Sequence, residues 1–241
     1  MLREYQREHH QRIARVLASM NPEFLLRNEA FFGGGTAIAL LLDEYRISVD
    51  IDFMVASKAG YKALRESVFD HGLKEFFVDG LVPDQIRELR ADSDGVRTAF
   101  VIDGLNIKFE VVRESRIALT GAIADFAVPS LSRVSLFAEK LLANADRGNA
   151  ADSQKKDILD LLTMQMAWGA IPDESIQLAA EAYSYKVIQS AYDNAMSAIA
   201  DYHLAEVFVS LGIQGRQRGR IISAIESGVY ARLLPAGASQ T

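Results

Sequence analysis

The pattern of apolar residues changes near Pro129, and that change limits what the chain can fold into. Before it, period-two alternation and helical spacing interleave. After it, apolar residues recur almost only at helical spacing. Such a chain predicts an α/β (α+β) half followed by a helical half. The expected boundaries are 1–130 for the α/β domain and 131–241 for the helical domain. With 241 residues, both can bury cores without a covalent staple. There are no cysteines, so a disulfide scaffold, a zinc–thiolate site, an iron–sulfur cluster and a cysteine nucleophile are excluded. Thirty-two acidic against 26 basic residues give a net charge of -6, which excludes a wholly basic nucleic-acid coat but not a local basic patch. The longest apolar runs, such as Ala37 to Leu42, fall far short of the roughly 20 residues that span a bilayer. The charged N-terminal stretch lacks the apolar core of a secretory signal. The expectation is a cytoplasmic protein with no membrane partner.

Local patterns place the elements. Ile13, Val16, Leu17 and Met20 share one face of a helix over 3–20, and Pro22 suits the first turn of the next one. After Gly33-Gly34-Gly35, Thr36 to Leu42 reads as a helix. Ser48 to Val55 alternates, with Val49, Ile51 and Phe53 on one side and Ser48, Asp50 and Asp52 on the other. Tyr61 to His71 predicts a helix stopped by Gly72. Phe76 to Leu81 is a weaker strand signal. Arg97–Ile102 and Asn106–Val112 read as a hairpin turned at Asp103-Gly104. Further helices are expected from Ser132, over Asp157–Trp168, and over 173–190, 190–210 and 214–232.

Three acids carry the chemical argument: Asp50, Asp52 and Glu110. On one strand face, Asp50 and Asp52 repel unless something compensates them. Hard oxygen donors with no histidine or cysteine nearby suit Mg²⁺ or Mn²⁺. Glu110, from a separate strand, would close such a site, and three carboxylates can hold two ions for phosphoryl or nucleotidyl transfer. An isolated Asp-x-Asp is usually just a solvated strand face. The upstream glycines change that weighing. Bare backbone at a helix N-terminus makes an anion site, to which Thr36 could add a hydroxyl. No Gly-Lys-Ser/Thr follows, so this is not a P-loop.

Phe32-Gly-Gly-Gly-Thr-Ala-Ile-Ala-Leu, followed by Arg46-Ile-Ser-Val-Asp-Ile-Asp-Phe53, resembles the first motif of the DNA polymerase beta-like nucleotidyltransferase superfamily. More narrowly, the chain is similar to the AbiEii/AbiGii nucleotidyltransferase toxins of abortive-infection and toxin–antitoxin systems. Asn106-Ile-Lys-Phe-Glu-Val111 resembles the family's strand with the third acid. Glu139-Lys140-Leu-Leu-Ala-Asn-Ala-Asp-Arg147, with Lys156-Asp157-Ile-Leu-Asp160, resembles its helical motif. The likeness runs from about residue 31 to about residue 162. It implies a small mixed sheet with flanking helices and then a helical domain.

The resemblance also implies roles. Asp50, Asp52 and Glu110 would bind Mg²⁺ or Mn²⁺, with Glu110 lowering the pKa of the acceptor hydroxyl. Gly34, Gly35 and Thr36 would hold the β/γ-phosphates of an NTP, and Ser48 a triphosphate oxygen. Lys140 would be a catalytic, phosphate-binding charge, with Asp157 orienting it or touching the nucleotide and Asp160 competing for that role. Arg46 is expected to join the nucleotide-binding residues or to pair with the acidic strand, and Arg147 to contact phosphate or cap its helix. The implied acceptor is transfer RNA or another RNA, or a protein, and the implied partner is a cognate antitoxin. Arg216, Arg218 and Arg220 form a local basic run, read either as RNA contacts or as a solvated or acidic-partner face. His9, His10, His71 and His203 read as structural or surface residues, and Trp168 with the tyrosines of 183–192 as core. The alternatives are a catalytically silent nucleotide- or partner-binding module and a housekeeping small-molecule nucleotidyltransferase.

Overall fold

The computed structural model describes residues 4–147, 155–201 and 204–233. Their contacts sort into two units. One comprises Met1–Glu44 with Ser48–Ser132, the other Tyr45–Ile47 with Arg133–Thr241.

The first unit opens with helices α1 (Glu8–Ser19) and α2 (Pro22–Arg27). Asn21 caps α2 by accepting from the Phe24 amide, and Pro22 stands in its first turn. Strand β1 (Phe31–Gly33) runs straight into α3 (Gly34–Leu41). Then come β2 (Ile51–Val55) and α4 (Lys58–His71), capped by Ser57 and ended at Gly72 with φ +64°. The remaining strands are β3 (Arg90–Ala91), β4 (Gly95–Ile102), β5 (Leu105–Arg113), β6 (Gly121–Ala122) and β7 (Ser130–Leu131). All seven form one mixed sheet in the order β3-β4-β5-β2-β1-β7-β6.

The β4–β5 hairpin turns on Asp103 and Gly104, both at positive φ, as a two-residue turn of matching twist requires. Along β2 and β5, Ile51, Phe53, Val55, Ile107, Phe109 and Val111 are buried, while Asp52 and Glu110 lie on the opposite face. The buried side meets Ile13, Val16 and Leu17 of α1 and Leu64 of α4 in one core, stitched by edge-on and tilted Phe32, Phe53, Phe76, Phe100 and Phe109.

Three expectations need correction here. Strand β2 begins at Ile51, not Ser48. Its neighbour β1 pairs Gly33 with Asp52, and at Gly34 (φ +69°) the chain turns into α3, so that side of the ladder ends there. On the other side, pairing with β5 goes no further than Ile51, opposite Phe109, and Ser48 and Asp50 precede the strand. Phe76–Leu81 is not a strand but two short 3₁₀ turns, because Asp79 and Gly80 take positive φ. Helix α3 starts at Gly34 rather than Thr36.

The second unit is helical: α5 (Arg133–Arg147), α6 (Lys156–Trp168), α7 (Asp173–Tyr183), α8 (Tyr185–Asp201), α9 (Leu204–Ser210) and α10 (Gly215–Ser227). Among the described residues four helices follow α6 where three were expected, and Ser184, at φ +83°, divides the first two. Helix α5 packs on α6, α7 and α8, and Leu136, Leu141, Leu142, Ile158, Leu161, Ile176 and Ile188 on these helices are buried. Residues 45–47 join this unit, and the Ile47 amide donates to the Leu211 carbonyl at 2.7 Å. Tyr192 is buried as expected, but Trp168 and Tyr185 are half-buried and Tyr183 is exposed. His203 lies outside the described residues. No helix among the described residues is long and apolar enough to cross a membrane.

Candidate active site

In the first unit, the outer face of the sheet brings three of the singled-out residues together. Asp52 and Glu110 are register partners on the parallel strands β2 and β5, so their side chains stand next to each other. Gly34 approaches from the β1–α3 junction. A Cβ added there would lie 2.7 Å from Asp52 Oδ2 and 3.2 Å from Asp52 Cβ. Only glycine fits this approach, and its φ of +69° is itself a glycine conformation. No side chain caps α3 and its first turn holds no acid, so no carboxylate of the helix itself competes for its first amides.

Gly34→Ala is expected to cost about 1–3 kcal/mol of stability through left-handed strain alone. It should also displace the Asp52 carboxylate. A lowered Tm with transfer activity lost more steeply than stability checks this.

Thr36 is fully buried, and its hydroxyl donates to Ser48 Oγ at 2.8 Å. Ser48 is also held through its carbonyl, 3.1 Å from His10 Nε2, while His10 Nδ1 lies 2.7 Å from Glu44 Oε1. His10 is completely buried. Sequence reasoning read it as a structural or surface residue and missed that it braces the segment leading to Asp50. The adjacent acid Glu44 offered no local signal, since it lies 34 positions away. Asp50 sits half-buried two residues before Asp52, off the strand.

Glu110 faces cations. Arg97 Nε, across the β4–β5 ladder, lies 3.3 Å from Oε1, and Lys108 pairs with Oε2. Among the described residues, no three histidines or carboxylates are grouped as a ready metal site. The donor chemistry nevertheless fits a hard divalent cation: Asp50, Asp52 and Glu110 offer oxygen only, and Asp52 and Glu110 are adjacent.

The second unit contains a buried ionic cluster. Arg46 grips Asp160 with two parallel bonds, Nε to Oδ1 at 2.7 Å and Nη2 to Oδ2 at 2.9 Å. The Tyr45 hydroxyl also donates to Asp160. Lys140 Nζ lies 2.7 Å from Asp160 Oδ2 and 3.0 Å from Asp157 Oδ1, and Arg147 pairs with Asp157 at 3.0 Å. Both carboxylates therefore orient Lys140. Arg46 pairs with Asp160, not with the acidic strand as its sequence position suggested. Burial opposes ionisation of Asp160, but Arg46 and then Lys140 overcome it and hold the carboxyl well below the usual range. Burial likewise works against the Lys140 ammonium, yet Asp160 and Asp157 raise its pKa. Three cations face two carboxylates, so the cluster carries one net positive charge.

A family model described as "Nucleotidyl transferase AbiEii toxin, Type IV TA system" matches residues 15–208. The chain belongs to the AbiEii nucleotidyl transferase toxin family. That match makes it a nucleotidyltransferase-type enzyme of type IV toxin–antitoxin systems. Among solved structures, the AbiEii chain is similar to a Helicobacter pylori protein assigned as a nucleotidyltransferase, at 17% identity over 95% of this chain and 94% of that one, with a TM-score of 0.53. It is also similar to JHP933 from Helicobacter pylori, at 15% identity over 95% and 92%, with a TM-score of 0.50. At such identities the likeness concerns the fold. A search of curated proteins finds no match.

Proposed function

We propose that this AbiEii-family chain transfers a nucleoside monophosphate from an NTP to an RNA or protein acceptor, with Mg²⁺ or Mn²⁺, as the toxin of an abortive-infection pair with a cognate antitoxin. The observation that carries the reading is the meeting of Gly34, Asp52 and Glu110 on one sheet face. Bare backbone for phosphate beside paired carboxylates is what nucleotidyl transfer needs.

The cation would be held by Asp50, Asp52 and Glu110. When bound, it would screen charge on the α-phosphoryl group and the departing pyrophosphate. The residues do the rest. Amides at Gly34, Gly35 and Thr36 take β/γ-phosphate oxygens, while buried Thr36 fixes the Ser48 hydroxyl that faces the triphosphate. The acceptor oxygen bonds to the α-phosphorus and gives its proton to Glu110. The bond from the α-phosphorus to the bridging oxygen breaks, and pyrophosphate leaves with the electron pair. Lys140 is the phosphate-binding cation of the helical unit, and the unbalanced positive charge of its cluster supports that role. Arg46 serves that cluster by fixing Asp160.

The pairing of Glu110 with Arg97 and Lys108 favours one rival, a module that binds nucleotide without turnover. Purified protein with Mg²⁺, each α-labelled NTP in turn and total cellular RNA separates them. Label in RNA or on protein, with pyrophosphate released, is the expected result. Nucleotide binding without any transfer would replace the enzyme with the module.

A further inference from the structure

We infer that an open groove along α10 binds the sugar–phosphate backbone of a single RNA strand. The inference rests on the acceptor side of the reading above and chooses RNA. The groove encloses about 660 Å³ within the helical unit. Arg216 and Arg220 stand on its wall one helical turn apart, both exposed, with Ser223 and Ser227 continuing the same face. Tyr230 and Met166 supply aromatic and apolar surface. No carboxylate is among its described lining residues, although the chain as a whole carries -6. The helix sorts the basic run seen in the sequence. Arg218 turns away and lies over the Phe208 ring at 5.6 Å, so two of the three guanidiniums serve the groove.

Gly219 is the second, independent observation. It lies inside a 13-residue helix, where glycine is less favourable than alanine. A Cβ added to it would meet nothing within 4 Å. Packing therefore does not require the glycine. It keeps the groove floor between Arg216 and Arg220 low, which allows a backbone to approach. Paired cations for phosphates, hydroxyls for sugar or phosphate oxygens, and an aromatic ring for a base are the parts of a single-strand site. An acidic protein would use the arginines but has no need of the ring or the bare floor. The groove residues on α10, and Tyr230, follow the last residue matched by the family model.

The test is fluorescence anisotropy of a short labelled single-stranded RNA, without NTP, across a salt series. The Arg216→Ala/Arg220→Ala double variant should bind at least about tenfold more weakly and flatten the log–log salt slope by about 1.4. Gly219→Ala should raise Tm by roughly 2–4 °C and yet bind RNA more weakly. A structural glycine would not produce that combination. Unchanged affinity in either variant overturns the inference, as does a wild-type protein that does not bind RNA. Equal, arginine-dependent binding of polyglutamate overturns it in favour of a protein partner. Transfer from labelled NTP is measured separately. RNA binding that depends on the arginines without any transfer counts against the enzymatic reading alone. Transfer to RNA with binding indifferent to the arginines counts against the groove alone.

Discussion

Asp52→Asn is expected to lower nucleotidyl transfer by about a thousandfold or more, equivalent to roughly 4 kcal/mol of barrier, while the protein stays folded. Asparagine keeps the shape and one oxygen but loses the charge that would hold a divalent ion. The fold should tolerate the change. Asp52 is half-buried on the outer sheet face, and asparagine keeps its size and a hydrogen-bonding oxygen there. Stability is therefore expected to stay within about 1 kcal/mol of wild type. The check is single-turnover transfer from labelled NTP, together with a urea titration of both proteins. Retained activity would remove Asp52 from the chemistry. Lost activity with a large drop in stability would make the residue structural.

Asp160→Ala is expected to have the largest effect on stability, about 3–5 kcal/mol. The carboxylate is fully buried and receives Arg46, Lys140 and the Tyr45 hydroxyl. Its removal leaves Arg46 buried without its bidentate acceptor and Lys140 with Asp157 alone. The loss should be nearly constant between about pH 5 and pH 9. Asp160 is depressed in the folded state, so its contribution is present above the unfolded carboxylate value near 4 and fades only as pH falls through the lower folded value. Lys140 is raised, so its contribution is present below the unfolded lysine value near 10.4 and fades only as pH rises through the higher folded value. A double-mutant cycle with Arg46→Ala, read by urea unfolding across that range, measures the coupling. The double variant should be markedly less destabilised than the two single losses combined. Additive losses would show that Arg46 and Asp160 do not act as a pair.

The alternation through Phe53 and through Phe109 was legible because each face repeats every second residue, a property the strand carries locally. So was the two-residue turn at Asp103-Gly104, where positive φ suits those residue types. The end of β2 was not. Ser48 and Asp50 continue the alternating pattern, yet pairing goes no further back than Asp52 on one side and Ile51 on the other: β1 turns away at Gly34 and β5 pairs with β2 no further than Phe109, both partners far outside the local window. Asp79-Gly80 is the same dipeptide as the hairpin turn, yet the apolar run from Phe76 outweighs it and reads as extended; Asp79 and Gly80 both take positive φ and break that run.

The candidate site divides along the same line. That Asp52 and Glu110 each point away from the core could be read from the order of residues, as could the bare glycines before α3. Their adjacency depends on β2 and β5 lying parallel and in register, and the fit of Gly34 against Asp52 on β1 lying at the other side of β2. His10 beneath Ser48 and Arg46 on Asp160 were equally hidden, the latter pair being 114 positions apart. Periodicity and turn chemistry act between near neighbours and survive in a string of letters. Which distant charges meet depends on the chain closing loops and packing faces, and only the folded molecule does that.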